Sequence, residues 1–579
     1  MKSHRQWIKH FRLLRRSPVL AISSLLLLYF VVLWTYYSGE VRGGARPPSP
    51  RIQHLNRTQH PAWSPQAPPA VSEHEWQKVM KITKWAVPEH QVTLVNKSTS
   101  PGDSTFTIQN FKQNYSVGEE LLVTIFAKDF TGQPKHYGGD FFQAKVHSYT
   151  LKASVFGEVV DHQNGTYSVR FILPWAGEAF VAVLLVHSSE IILALKQHWN
   201  TDTDQVYYTG FFVSKTSKNG TQVEQTEETI CNIKWPGVFP GGTDYMARKN
   251  CCCEYGDAHT GLMWQCLRPR TLPCDALMYH GGNKDSDHFT PLEKNLTERN
   301  QFLWLNGDNR QINIMSTNAT VGMLLLLHIN TPDRGERRTC KAGLPTPVPA
   351  GFYFNDVWTS FVCATSHFQG NDSAACLKDK HIHIIGDSTI HQWFDYLVKT
   401  MPTLKSMNLH SVGQVGPHMA VDVENNIDIH WRTHGLPYRS PKAKMSSFQY
   451  IEKLIDEMDG GPQTVLVFTM WAHYTSFPLS YFVHRVSLVH RAVASLLRRA
   501  PLTKIIIKSA NTAYMIKYRS DWLFFMLDRV VREAFRDMDV YFLDVWQMTS
   551  CHYLPYDLHP EEVIIKNEVD ILLSFICPK

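Results

Sequence analysis

The sequence predicts a multidomain protein with an N-terminal membrane anchor, a β-sandwich of immunoglobulin-like shape and a C-terminal α/β domain of three layers. Three observations predict it. An uncharged apolar run follows a basic N-terminus, short alternating runs broken by Gly and Asn-Gly come next, and strand-like runs alternate with helical ones towards the C-terminus. The 579 residues suffice for two or three domains, since single cores stop growing near roughly 250–300 residues. With 16 Trp, 23 Tyr and 30 Phe the chain can bury a large core, which excludes wholesale disorder. The formal charge of +6 is small for this length and carries no basic stripe of the kind that binds nucleic acid.

Residues 1–16 hold Lys2, Arg5, Lys9, Arg12, Arg15 and Arg16 and no acid, and read as a cytoplasmic tail. The segment Ser17–Gly39 has no charge and is about as long as the twenty residues that cross a bilayer, with Trp34, Tyr36 and Tyr37 placed for the far interface. It is expected to be a signal-anchor over 17–38; the competing reading, a cleaved signal peptide, lacks a clean small-x-small site. Residues 39–75, rich in Pro, read as an extended stalk. Everything beyond the anchor is then lumenal, as expected of a single-pass type II Golgi membrane protein, with a secreted or cell-surface location as the alternative. Eight Asn-x-Ser/Thr sites, at Asn56, Asn96, Asn114, Asn164, Asn219, Asn295, Asn318 and Asn371, are expected glycosylation positions in that compartment.

From about Val92 to Leu195 the texture is β, with Gln163-Asn164-Gly165 as a hairpin signal, inside a β-sandwich domain expected over 76–225. Residues 226–337 form a Cys-rich connecting region, in which six cysteines fall between Cys231 and Cys274. The triplet Cys251-Cys252-Cys253 lacks the paired spacing of a zinc site, so disulfides are expected and no metal. Eleven cysteines in all leave one thiol free or joined to a second chain.

Residues 338–579 read as α/β, with strands at "HIHIIG", "TVLVFTM", "KIIIKSA" and "VYFLDVW" and helices over 389–400, 481–499, 522–537 and 561–575. Such alternation implies parallel strands with helices on both faces and a ligand site beyond the carboxyl ends of the strands. In "HIHIIGDSTIHQW" Ser388 stands where the first strand ends and a helix starts, so its hydroxyl is presented at that edge; the alternative is that Ser388 merely caps the helix. His559, before Pro560 in the loop that opens the last helix, is the candidate base for it. The stripe Phe482, Val486, Val489 and Leu496 reads as core, and "RTHG", "RAVASLLRRA" and "DKHIH" as solvated faces or turns, although His430 and His434 are placed to line the mouth.

"GDSTIHQW", "DLHP" and "NGTYSVRFILPWAGEAFVAVLLVHSSE" together resemble the NXPE family, whose members join a neurexophilin-like β domain to a PC-esterase domain of the SGNH-hydrolase type. The resemblance runs from about residue 75 to the end. It implies O-acyl chemistry on glycans, with Ser388 as nucleophile, His559 as base and no permanently bound cofactor. An O-acetyltransferase would draw on a donor such as acetyl-CoA and acetylate a glycan or glycoprotein, sialic acid above all. The alternatives are an O-acetyl esterase, or a non-catalytic glycoprotein whose β domain binds a neurexin-like protein. Where relatives carry Asp three residues before the His this chain has Tyr556, which leaves Asp557 or Asp544 to orient His559. His391 replaces an Arg of the relatives, and "TMWAHY" puts Trp471 and Ala472 ahead of His473. The oxyanion hole is assigned to Ser388, Gly413 and His473, with Gly416 and Gly435 as other candidates for the second N–H.

Overall fold

The computed structural model describes residues 71–201, 205–218, 221–238, 251–285, 288–299, 303–316, 338–411, 413–513 and 520–578. The expected tail, the anchor at 17–38, almost all of the stalk, and Asn56, Asn219 and Asn318 lie outside the described residues. Among the described residues no helix is long and apolar enough to cross a membrane. The other five glycosylation positions are all exposed.

Alternation of period two builds the β-sandwich. Leu121, Val123 and Ile125 of strand Glu120–Phe126 turn inward between exposed or half-buried neighbours, and Tyr167, Val169 and Phe171 turn inward between half-buried ones in Thr166–Ile172. The two strands pair antiparallel along their whole length. Their buried side chains meet Phe142, Ala144, Val146, Val181 and Val183 from strands Phe141–Ser148 and Gly177–His187 in one core. The expected hairpin is present, with Gln163 and Gly165 at positive φ. One feature departs from an immunoglobulin sandwich. Strand Ala153–Asp161 pairs with Phe141–Ser148 through its first half and with Thr166–Ile172 through its second, so the two layers are one hydrogen-bonded path curled over itself. Its edges recruit later segments: Leu303–Trp304 and Ile312–Met315 add to Gly177–His187, and Gly351–Phe354 adds to Ala153–Asp161.

The cysteine-rich region is itself a sheet rather than a connector. Strands Cys252–Gly256, Met263–Leu267, Thr221–Ile233, Val206–Lys218, Leu277–Asp285 and Ala443–Lys444 follow one another in it, and the expected boundary at 225/226 falls inside Thr221–Ile233. Disulfides Cys231–Cys266, Cys251–Cys252 and Cys253–Cys274 lie within this region, and Cys340–Cys363 and Cys376–Cys577 within the C-terminal part. The remaining thiol, Cys551, is buried, which removes it from any bond to a second chain.

The third sheet carries the site. Its strands are β1 (His381–Gly386), β2 (Lys405–Met407), β3 (His418–Asp422), β4 (Ile427–Thr433), β5 (Thr464–Phe468), β6 (Lys504–Lys508) and β7 (Tyr541–Leu543), in the order β2-β3-β4-β1-β5-β6-β7. Strands β4, β1, β5, β6 and β7 are parallel, while β2 and β3 add antiparallel at one edge. Helices α1 (Ser388–Thr400), α2 (Leu479–Arg499), α3 (Asp521–Ala534) and α4 (Glu562–Ile576) complete the layers. The pleat sorts β5 between them: Val465 and Val467 pack with Trp393 and Leu397 of α1 and Val569 and Leu572 of α4. Leu466 and Phe468 pack with Phe482, Val486, Val489 and Leu496 of α2 and with Leu527 and Val531 of α3. That second core continues into Trp199 of helix Ser189–Thr201 and into Tyr208 and Trp264 of the cysteine-rich sheet, so the described parts share apolar interior. Trp199 also donates its indole N–H to the carbonyl of Phe477 at 2.8 Å.

Candidate active site

The site begins with a glycine that nothing else can replace. At the end of β1 a Cβ on Gly386 would fall 2.6 Å from Thr469 Cγ2 and 2.9 Å from the Thr469 carbonyl. The chain then turns, and Asp387, not Ser388, caps α1: its side chain accepts from the backbone N–H of Thr389 at 2.9 Å and from the Thr389 hydroxyl at 2.7 Å. The hydroxyl of Ser388 is thereby released from capping. It lies 2.7 Å from His559 Nε2, across 171 residues of sequence.

Two neighbouring carbonyls hold the His559 loop. Asn511 donates its side-chain N–H to Leu558 O at 2.9 Å, and Gln392 of α1 donates to Pro560 O at 3.3 Å. Behind them sits Lys508 at the end of β6, fully buried. Its ammonium donates to Asn511 Oδ1 at 2.5 Å, to Ser509 O at 3.2 Å and to Thr389 Oγ1 at 3.4 Å, which ties the serine turn and the histidine loop to one cation. Burial pulls the Lys508 pKa down, against the pull of Glu568 and Asp387. Burial works against the Asp387 carboxylate too, but His473, the Thr389 hydrogen bond and the Lys508 ammonium outweigh it, and the group titrates below its ordinary range.

The structure distributes the other candidates differently from the expectation. Asp557 accepts from the backbone N–H of His559 at 2.9 Å and so shapes the loop; among the described residues no carboxylate bonds the imidazole. Asp544 caps the segment after β7 and pairs with Arg532 at 3.2 Å. Gly413 stands in an exposed turn with nothing within 4 Å of where a Cβ would be. Gly416 abuts Trp431 and Gly435 abuts Tyr450. His473 accepts at Nδ1 from the backbone N–H of Arg439 at 2.7 Å and stacks on Tyr438 at 4.2 Å, which leaves Nε2 to carry the proton of the neutral ring. The block around it wraps Asp387: Ala472 N donates to Asp387 Oδ2 at 3.4 Å, and the Trp471 indole bonds Lys508 O at 2.9 Å.

Thr433 and His434 are buried rather than solvated, and burial pushes the His434 ring down to about 4. His430 bonds Asp428 at 2.9 Å and lines a cavity of about 490 Å³ on the sheet face, whose lining includes neither Ser388 nor His559. His391 lies against Trp431, 4.0 Å between ring centres, and burial pushes it down to about 4, so it cannot stand in for a charged Arg near neutral pH. Among the described residues no group of His, Cys, Asp or Glu is arranged to hold a metal ion. Thr389, Gln392, Lys508 and Asn511 escaped the sequence reading. The one signal was a Lys closing the apolar run "KIIIK", where an ordinary buried strand would not end on a charge.

Residues 358–577 match the model of the NXPE family member 4-like C-terminal domain, and residues 88–285 match the neurexophilin model. The chain belongs to the NXPE family. In this NXPE chain the neurexophilin match extends through the cysteine-rich sheet. Among solved structures, the Escherichia coli adhesin FdeC is similar at 11% identity over 36% of this chain and 66% of that one, with a TM-score of 0.13. A carbohydrate esterase family 2 enzyme with its carbohydrate-binding domain, from Corynascus thermopiles, is similar at 12% identity over 69% and 93%, with a TM-score of 0.22. A family two carbohydrate esterase from Clostridium thermocellum is similar at 11% identity over 69% and 91%, with a TM-score of 0.20. None of the three superposes closely enough to place a residue of the site.

Proposed function

We propose that this NXPE chain is an O-acetyltransferase that acetylates glycan hydroxyls, those of sialic acid above all, through an acyl-serine on Ser388. The observation that carries the reading is the 2.7 Å contact between Ser388 Oγ and His559 Nε2 at the carboxyl edge of a parallel sheet. As Ser388 Oγ attacks the carbonyl carbon of an acetyl thioester such as acetyl-CoA, its proton passes to His559 Nε2. The C–S bond breaks and the thiol leaves with that proton. In the second half the glycan hydroxyl gives its proton to His559 and its oxygen takes the acetyl group, restoring Ser388. The backbone N–H of Ser388 at the start of α1 has no intrahelical acceptor and is assigned to the oxyanion formed in each half, with Gly413 and His473 as the further donors. Asp557 supports His559 through the loop backbone.

Cells making the wild-type protein should gain O-acetyl groups on sialic acids of their glycoproteins, and Ser388→Ala and His559→Ala should each abolish the gain at equal expression. Unchanged acetylation with either variant would sink the reading. His559 is exposed, which favours a second reading, an esterase in which water replaces the sugar hydroxyl; loss of acetyl groups in the same experiment would select it. The proposed setting is the Golgi lumen, below a basic cytoplasmic tail and the uncharged run 17–38. Protease added to sealed microsomes should leave the C-terminal domain intact, and its digestion would reverse the topology.

A further inference from the structure

The curled sandwich brings one aromatic ring up to the loop that carries His559. Trp304, in the short strand paired with Gly177–His187, is 46% exposed. Its ring centre lies 6.0 Å from that of Tyr556, with the planes inclined by 34°. Tyr556 precedes His559 by three residues, so its Cα lies within about 11 Å of that of His559 by the reach of an extended chain. Lys145 of strand Phe141–Ser148 holds both rings. Its Nζ lies 4.5 Å from the centre of Tyr556 and 5.3 Å from that of Trp304, and it donates to the carbonyl of His552 in the same loop at 2.6 Å. The side chain of Lys145 is almost wholly buried.

Single exposed aromatics are ordinary on protein surfaces. This one differs in three respects: it pairs with a second ring, the buried side chain of Lys145 braces both, and the second ring belongs to the loop of the proposed base. We propose that Trp304 and Tyr556 form the acceptor-sugar subsite of the Ser388–His559 centre, taking one pyranose ring of the glycan that receives the acyl group. The inference rests on the acyl-transfer reading above and adds to it the surface that chooses the acceptor. The chemistry fits the rings. A pyranose presents a face of C–H bonds with hydroxyls around its rim, and an aromatic ring in a wet setting packs against such a face while water keeps the rim solvated. The shallow angle between the two rings suits a sugar seated across both. The neurexophilin-like half thereby becomes part of the enzyme, because Trp304 is fixed by its strand and Lys145 comes from its centre.

The test separates binding from turnover. Full-length Ser388→Ala protein in detergent is titrated with 3′-sialyllactose by saturation-transfer NMR, with and without Trp304→Ala. Loss of a stacked ring should weaken the sugar about tenfold. Trp304→Phe should stay within about threefold and Trp304→Leu, which keeps an apolar side chain without a ring, should fall with Trp304→Ala. No sugar binding to the Ser388→Ala protein, or affinities within twofold across all three variants, overturns the subsite. Turnover that survives Ser388→Ala defeats the catalytic reading instead, and the inference with it.

Discussion

At the scale of single residues, Asp387 takes the capping place that Ser388 would otherwise fill. A serine at the start of a helix ordinarily accepts a hydrogen bond from the N–H groups of the first turn. Here Asp387 takes that bond, so the Ser388 hydroxyl faces His559. The same division of labour runs through Lys508, which spends its donors on Asn511 and Thr389 and touches neither member of the pair. Asn511 is a positioning residue, since its contact is with the carbonyl before His559. Asn511→Ala should lower kcat about tenfold, the effect of a misplaced reacting group, and move KM for the glycan by less than twofold. Steady-state kinetics check this; an equal loss in both constants with a lowered melting temperature would make Asn511 merely structural. Ser388 and His559 were legible because strand-turn-helix punctuation and the "DLHP" loop are local patterns. Lys508, Asn511 and Gln392 were not, because each acts across a long stretch of chain: 119 positions from Lys508 to Thr389, 47 from Asn511 to Leu558 and 168 from Gln392 to Pro560.

At the scale of elements, the four strands and four helices read from periodicity in the C-terminal part are present with ends shifted by a few residues. Their runs are long and apolar enough for the period to show. The hairpin of β3 and β4 was missed, although Ile427, Ile429 and Trp431 alternate with Asp428, His430 and Arg432 in β4, Asn425-Asn426 marks its turn and Asn426 sits at positive φ; on the inward face of β3, Asp422 and His418 break the apolar pattern. The last helix gains a covalent tie: Cys376–Cys577 joins the segment ahead of β1 to the residue after α4, 201 positions on. A loop that long restricts the unfolded chain strongly, so replacing both cysteines with Ser should cost about 2–4 kcal/mol. Denaturant unfolding of the variant against wild type measures it. A midpoint unchanged within error would show that the bond contributes nothing.

At the scale of the whole molecule, burial decides the response to acid. His280, His434 and His552 are interior, and burial pushes each down to about 4 from an ordinary 6.5. Between those values the unfolded chain binds protons that the native chain refuses, so stability is complete above about pH 6.5 and is lost as pH falls towards 4. At pH 5 each of the three would cost on the order of 2 kcal/mol. The melting temperature should therefore drop by several degrees between pH 7.5 and pH 5, and replacing His280 with Gln should shrink that drop. A melting temperature flat across this range would mean that these rings are protonated inside the fold.

The sequence by itself determined the order of parts in this NXPE chain, the alternation that makes its sheets, and the turn and loop that carry Ser388 and His559. Each of these is written in the spacing of apolar, glycine and capping residues within a dozen positions. Tertiary structure alone decided that the sandwich is one curled path, that the cysteines build a sheet with a strand from the C-terminal part, and that a buried Lys508 ties the serine turn to the histidine loop. It also decided that Trp304 stands beside Tyr556. The physical reason is the same in every case: these are contacts between surfaces that only folding brings together, and local periodicity carries no record of which distant side chain will satisfy a buried charge, an open strand edge or an exposed ring.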